Sequence, residues 1–277
     1  MKKILFLYNS AGFGSLNAYA NCGWIKDCSL DYDIKCWGKG FAKRTTLPSL
    51  KRTIDLFKPD YIYLTLRKKY KYWLPDLTNI KVPKIYVEVD TQKYNANDPW
   101  YRQFDKVMCR QPSFGNWKNV PLFRWSAPER SFPTKAELST IKRKGIKFIG
   151  HCMERVYSTR KRLSKRFKKK VWFGKIKGPG YWLSLKRSSA LLCPTESNYG
   201  DFIPAKLFEF LASGAAVLTN CDLKGYGTPE LEKYIIRYKD LVDLHKKLLY
   251  DFTPYHNKAL KVMRNHTHRV RYRELFR

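Results

Sequence analysis

The 277-residue sequence contains no stretch near the roughly 18–20 consecutive apolar residues that a membrane-spanning helix requires. The apolar opening, Ile4-Leu-Phe-Leu-Tyr8, is too short for a signal-peptide core. It runs into Asn9, Ser10 and a glycine-bearing segment, so it reads as a first buried strand. The seven cysteines, at 22, 28, 36, 109, 152, 193 and 221, form no CxxC pair and are odd in number. That pattern argues against both a zinc site and a disulfide framework, and a reducing cytoplasm is the compartment it suits. The five histidines are scattered, and only His151, beside Gly150, stands where a site would form. His266 and His268 are expected on a terminal basic helix rather than on a metal. No short-period repeat is present.

Acidic residues are the scarcest class relative to their counterparts. Twenty-three Asp and Glu face 55 Lys and Arg, leaving a formal charge of +32. Solubility asks for far less. A charge of that size repels itself in the folded state, and a polyanion nearby would explain its presence. Nucleic acid, an anionic membrane surface and acidic glycans are the candidate partners. Genomic drift toward lysine is a weaker explanation, because arginine is plentiful too. With 44% hydrophobic and 16% aromatic residues the chain is globular, and it is long enough for two compact domains.

Short apolar runs alternate with helical spacing, the pattern of a parallel sheet with helices on its faces. Strands are expected at 4–8, 34–37, 61–66, 84–89, 107–109 and 120–125, with a helix at 47–57 stopped by Pro59. A Pro-bearing linker is expected near 128–143. The pattern then restarts, with strands at 146–149, 171–173 and 190–193, a basic helix at about 159–169, a turn at 177–180 and a helix at 181–188. The final twenty residues carry seven Lys and Arg and read as one basic helix that folds back over the first domain. The expected division is an acceptor domain at 1–133 and a donor domain at 134–277.

The most informative segment is Pro204-Ala-Lys206-Leu-Phe-Glu209-Phe-Leu-Ala-Ser-Gly214-Ala-Ala-Val-Leu218. Pro204 suits the start of a helix, Gly214 suits the left-handed residue that ends one, and an apolar strand follows. Such a helix begins at the carboxyl edge of a parallel sheet, where open α/β sheets bind ligands and where helix N–H groups favour phosphate. Lys206 and Glu209, three apart, share a face. The lysine suits a diphosphate and the glutamate suits a pair of ribose hydroxyls. The same spacing also suits an ion pair on a solvated helix.

This segment resembles the donor-site helix of retaining GT-B glycosyltransferases, in which a lysine, a Phe-Glu pair and an Ala-Ser-Gly helix end recur. The resemblance implies two Rossmann-like domains facing across a cleft and a nucleotide-sugar donor, a UDP-sugar by expectation, with no metal required. It places Glu209 on the ribose. It leaves either Glu196 or Asp201 to touch the sugar, since Asp201 has the usual spacing of eight and Glu196 does not. Arg155 and Arg160, after the strand that ends at Gly150, become candidates for the diphosphate, to which guanidinium groups are suited. Lys175 is a candidate near the base, and Gly12 and Gly14 resemble a loop approaching the donor phosphates. Asp90, at a strand end, stands where a base for the acceptor hydroxyl would sit.

A nucleotide-sugar cannot account for the charge. Residues 141–190 hold 17 Lys and Arg and one acid, Glu154, which is half of the surplus. In the run 160–170, Leu163 and Phe167 are the inward anchors, so Lys165, Arg166, Lys168, Lys169 and Lys170 face solvent. A second basic run, Arg67-Lys68-Lys69-Tyr70-Lys71-Tyr72-Trp73, interleaves aromatics in a way that suits phosphate contact with base stacking. The leading expectation is therefore a monomeric enzyme that glycosylates double-stranded DNA at a hydroxymethylated pyrimidine such as 5-hydroxymethylcytosine, as bacteriophage enzymes of this fold do. The alternatives are a cell-envelope glycan or lipid acceptor, with the basic face on an anionic leaflet, and a non-catalytic nucleic-acid binder.

Overall fold

The structure is a computed structural model that describes residues 1–7, 23–38, 49–65, 74–88, 94–110, 115–150, 158–176, 178–195, 204–223, 226 and 228–277. Its contacts divide into two compact units, Met1–Arg124 with His268–Arg277, and Trp125–Thr267.

The first unit is built on five parallel strands, β1 (Lys3–Leu7), β2 (Asp33–Trp37), β3 (Tyr61–Thr65), β4 (Lys84–Glu88) and β5 (Lys106–Cys109), in the order β2-β1-β3-β4-β5. Alternation along each strand splits its apolar residues between two faces. Ile4 and Phe6 pack with Ile25 and Cys28 of α1 (Gly23–Cys28). Leu5 and Leu7 pack with Leu50 of α2 (Leu50–Phe57), Tyr101, Phe104 and Trp117. The Ser49 side chain caps α2 by accepting from the Arg52 N–H at 3.1 Å, and Lys58, at φ 51°, ends it just before Pro59. The expected strand at 120–125 does not form. Pro121 has no N–H to give a ladder, and only Leu122 bridges to Cys109 at the edge of β5.

The second unit repeats the topology with β6 (Ile146–Ile149), β7 (Val171–Gly174), β8 (Ala190–Cys193), β9 (Ala216–Thr219) and β10 (Ile235–Arg237), in the order β10-β9-β8-β6-β7. Counting strands within each unit, both sheets read 2-1-3-4-5. The segment expected to be a linker is ordered. Residues 129–131 form a 3₁₀ turn, and α3 (Lys135–Thr140) opens on a capping box between Thr134 and Glu137. The chain therefore leaves the first unit at Arg124, before the 133/134 boundary read from the sequence. Helices α4 (Ser158–Phe167), α5 (Pro179–Lys186), α6 (Ala205–Ala212) and α7 (Leu241–Lys247) flank the sheet. Leu163 and Phe167 of α4 join Ile146, Phe148, Leu192 and Leu218 in one buried cluster. Of the turn expected at 177–180, Lys177 lies outside the described residues, Gly178 caps α5, and Pro179 and Gly180 already belong to that helix.

The C-terminal segment is not one helix. It forms α8 (Leu260–Met263), a 3₁₀ turn at 264–266 and α9 (His268–Leu275). The break lies where the Ala127 N–H donates to the His266 carbonyl at 2.9 Å and Thr267 bridges Ala127, so tertiary pairing interrupts the helix. His266 stays in the second unit, 2.9 Å from Glu230, whereas His268 lies 3.1 Å from Asp27 in the first. As the sequence suggests, the terminal helix returns to the first sheet. Arg269 and Arg273 both clasp Asp31, at 2.6 and 2.7 Å, and the Arg269 hydrogen bond above all holds that carboxyl well below the usual carboxylate range. Phe276 is 1% exposed among Tyr32, Tyr61, Tyr63 and Tyr272, with ring centroids 5.4–5.9 Å away.

Phe276→Ala is expected to destabilise the first unit by about 3–5 kcal/mol, the usual cost of emptying a buried phenylalanine site. Urea unfolding followed by tyrosine and tryptophan fluorescence measures it, and a loss below about 1 kcal/mol would mean that α9 contributes little to that core.

Candidate active site

The carboxyl ends of β6 and β8 are neighbours, yet the chain leaves them in opposite directions along the sheet, toward β7 and toward β9. Such a switch point leaves a crevice that open α/β sheets use for ligands. β6 ends at Ile149 and Gly150. A Cβ on Gly150 would lie 3.0 Å from the Phe148 ring and 3.4 Å from Lys206 Nζ, so a side chain there would press first on the Phe148 ring.

Lys206 enters this corner from the first turn of α6 and donates to the Ile149 carbonyl at 2.7 Å. Burial pushes its pKa below the ordinary lysine value and the Arg160 guanidinium adds to that, while Glu209 and Cys193 act in the opposite direction. Arg160, in the first turn of α4, lies 5.8 Å from the Phe148 ring centroid. Two cations thus converge where β6 ends. The first N–H groups of α6 have no partner within the helix, and its dipole adds partial positive charge.

One turn further along α6, Glu209 accepts a hydrogen bond from the Tyr181 hydroxyl. Burial and the Glu209 charge push the Tyr181 pKa far up, so the phenol keeps its proton and remains a donor. The Tyr181 ring also lies 5.9 Å from Lys206 Nζ. Sequence reasoning missed Tyr181, because nothing in residues 178–182 points to a carboxylate 28 positions later. α6 itself is not a solvated surface helix. Leu207, Phe208, Phe210, Leu211 and Ala212 are buried, leaving Lys206 and Glu209 partly exposed on the remaining face.

The far end of α6 is fixed as firmly. Gly214 takes φ 76°, as a helix-ending glycine can. Arg143 donates to the Ser213 carbonyl at 3.0 Å and to Asn257 Oδ1 at 2.9 Å, and burial lowers its pKa to about 10. Pro204 is the cap of α6 rather than its first residue, with ψ 136°.

The remaining candidates fare differently. Lys175 lies exposed just beyond β7, at the same carboxyl edge. Lys165, Arg166, Lys168, Lys169 and Lys170 are exposed, as expected of a solvated basic face. Gly12, Gly14, Asp90, Arg155, Glu196, Asp201 and the run Arg67–Trp73 lie outside the described residues. Glu88, which ends β4 just before them, is buried and accepts from the Tyr86 and Tyr101 hydroxyls at 2.8 and 2.7 Å. Among the described residues, no cluster of three His, Cys, Asp or Glu could hold a metal ion, and no helix is long and apolar enough to cross a membrane.

No protein-family model matches the sequence, and no curated protein does. Solved structures match along its whole length. An alpha-glucosyltransferase in complex with UDP and a 13-mer DNA containing a central A:G mismatch has a TM-score of 0.64 at 12% identity, covering 100% of this chain and 98% of its own. AviGT4, a glycosyltransferase involved in avilamycin A biosynthesis, has a TM-score of 0.62 at 11% identity, covering 100% of this chain and 97% of its own. HepE from Anabaena, in complex with UDP, has a TM-score of 0.56 at 9% identity, with coverages of 99% and 98%. At these identities the likeness is one of fold.

The half-buried lysine is expected to make anion binding at this corner pH-dependent. An anion favours protonated Lys206, whose lowered pKa means that the proton leaves at a lower pH than from an ordinary lysine. Affinity for inorganic pyrophosphate should therefore decline as pH rises toward the ordinary lysine range. Lys206→Arg should remove that decline, because a guanidinium stays charged. Calorimetric titrations across pH measure both proteins, and identical pH profiles would show that Lys206 does not meet the anion.

Proposed function

We propose that this chain, which has the two-domain GT-B fold, is a glycosyltransferase that moves a sugar from a UDP-sugar to a hydroxyl on DNA, with a hydroxymethylated pyrimidine as the acceptor. A fold by itself hosts many chemistries. The observation that carries the reading is the convergence of Lys206, Arg160 and the Tyr181–Glu209 pair at the carboxyl ends of β6 and β8. A similarly folded alpha-glucosyltransferase that holds UDP and DNA supports it, as does the excess of 55 basic over 23 acidic residues.

In this reading the second domain binds the donor and the first binds the acceptor. Glu209 receives two ribose hydroxyls, with its carboxylate held in place by the Tyr181 O–H. Lys206, Arg160 and Arg155 meet the diphosphate, Lys175 lies toward the base, and Glu196 or Asp201 touches the sugar. When the acceptor oxygen bonds to the anomeric carbon, the bond from that carbon to the diphosphate oxygen breaks and negative charge grows on the leaving UDP. Fixed cations and the α6 dipole stabilise that charge more in the transition state than in the ground state. Asp90 is the proposed acceptor of the hydroxyl proton, with Gly12 and Gly14 close to the donor phosphates. A base in a duplex must be flipped out to reach such a site, at a cost of a few kcal/mol. Basic contacts from residues 67–73 and 165–170 would offset part of that cost.

Glu209→Ala is expected to weaken UDP binding by about 1.5–3 kcal/mol for each charge-assisted hydrogen bond lost. Unchanged UDP affinity in calorimetry would remove the ribose assignment. The transfer itself is tested with radiolabelled UDP-sugars offered to hydroxymethylated DNA, unmodified DNA and lipid-linked glycans. Label incorporated into hydroxymethylated DNA alone is the expected result. Label in the lipid-linked glycan would establish the envelope reading instead, and label nowhere, with DNA still bound, would leave a nucleic-acid binder.

A further inference from the structure

The amino ends of the same strands carry a second concentration of positive charge. Lys142, Lys144, Lys147 and Arg187 line a cavity of about 600 Å³ in the second unit, with Ile141 and Leu183 beside them. The sheet register brings these cations together. Ile146 of β6 pairs with Val171 of β7 and with Ala190 of β8, so the residues that lead into the three strands share one edge. Lys142 and Lys144 lead into β6, Lys168, Lys169 and Lys170 into β7, and Arg187 toward β8. The Lys144 N–H donates to the Arg187 carbonyl at 2.9 Å, which ties two of these segments directly.

Little on the protein answers that charge. Glu137 is the one carboxylate in the cavity lining, and it is occupied by Lys186 Nζ at 2.9 Å and by the Thr134 N–H at 2.7 Å. Among the described residues, Lys142, Lys144, Lys147 and Arg187 form no ion pair with a carboxylate. Lys147 is half-buried in the cavity and donates to Ser184 Oγ at 2.9 Å. Burial, and then the Arg187 charge, press its pKa below the ordinary lysine value, a sign of cations held close without a counterion. An anion in the cavity would relieve that repulsion. The recess favours a phosphate that projects from a strand over the flat surface of a leaflet, because a partly sunken ammonium can be reached only by a protruding group.

We propose that this amino-end edge is a second polyanion-binding surface, which holds the phosphodiester backbone of nucleic acid at Lys142, Lys144, Lys147 and Arg187. It lies at the opposite end of the sheet from Lys206, roughly the length of a four-residue strand away, about 13 Å. Nucleic acid held there is tethered to the protein without entering the sugar-transfer site. The surface does not depend on the transfer chemistry.

The test is the triple variant K142Q/K144Q/R187Q, whose three side chains are exposed and therefore removable without opening the core. Affinity for a short unmodified DNA duplex is measured by fluorescence anisotropy across a salt series, with no nucleotide-sugar present. Each lost phosphate contact flattens the plot of log affinity against log salt by about 0.9, so a change of roughly 2–3 is expected. UDP affinity and thermal midpoint should stay at the wild-type values. A wild-type salt slope in the folded variant would overturn the proposal. So would loss of binding to phosphatidylglycerol vesicles with DNA binding intact, which would assign the edge to a membrane. Unmodified DNA without a donor keeps this outcome separate from that of the transfer assay.

Discussion

A parallel strand pair cannot be closed by a hairpin, so each connection in these two sheets must run from a carboxyl end back to an amino end across one face. The requirement shapes both units. It covers each sheet with helices on both faces, which is why β8 and β9 are apolar and fully buried rather than alternating. It also sends all the loops that follow strands to one edge. In the 2-1-3-4-5 order the gap opens beside the first strand, and in the second unit that strand is β6. Lys206 fills this gap by bonding to the last carbonyl of β6, joining the site to the sheet itself.

The helix that carries Lys206 is held at both ends. Its apolar residues are buried against β8 and β9. At its C-terminus, Gly214 turns the chain in a left-handed conformation while Arg143 donates to the Ser213 carbonyl. A guanidinium sunk there costs desolvation, and the lowered pKa of Arg143 is the mark of that cost. The return is a helix tied at both ends, by Arg143 at its C-terminus and by the Lys206 bond to Ile149 at its first turn.

Charge in the second unit falls at two opposite ends of one sheet, and the two concentrations differ in kind. At the carboxyl end there are few cations, partly buried, and a carboxylate and a phenol stand beside them. That mixture is chemically suited to telling apart the parts of one small ligand. At the amino end and along α4 the cations are many and mostly exposed, an arrangement suited to a repeating anion that is held without being read. Both follow from the same strands, because a residue's place before or after a strand decides which end it occupies.

How much of this was legible in the sequence depended on the range of the interactions. The strands up to β9 other than the one expected at 120–125, the buried anchors Leu163 and Phe167, the helix end at Gly214 and the pairing of Lys206 with Glu209 on one face all follow from local periodicity and local conformational preference, so the sequence by itself determined them. Partners distant along the chain left no such trace. The tie between Tyr181 and Glu209, the approach of Lys206 to Ile149 over Gly150 and the meeting of Lys144 with Arg187 come from strand order. The terminal helix shows both regimes within twenty residues. Its basic pattern announced helix, but the break at Thr267 came from hydrogen bonding to Ala127, some 140 positions away in the chain. Local propensity cannot anticipate a bond whose partner only folding brings near.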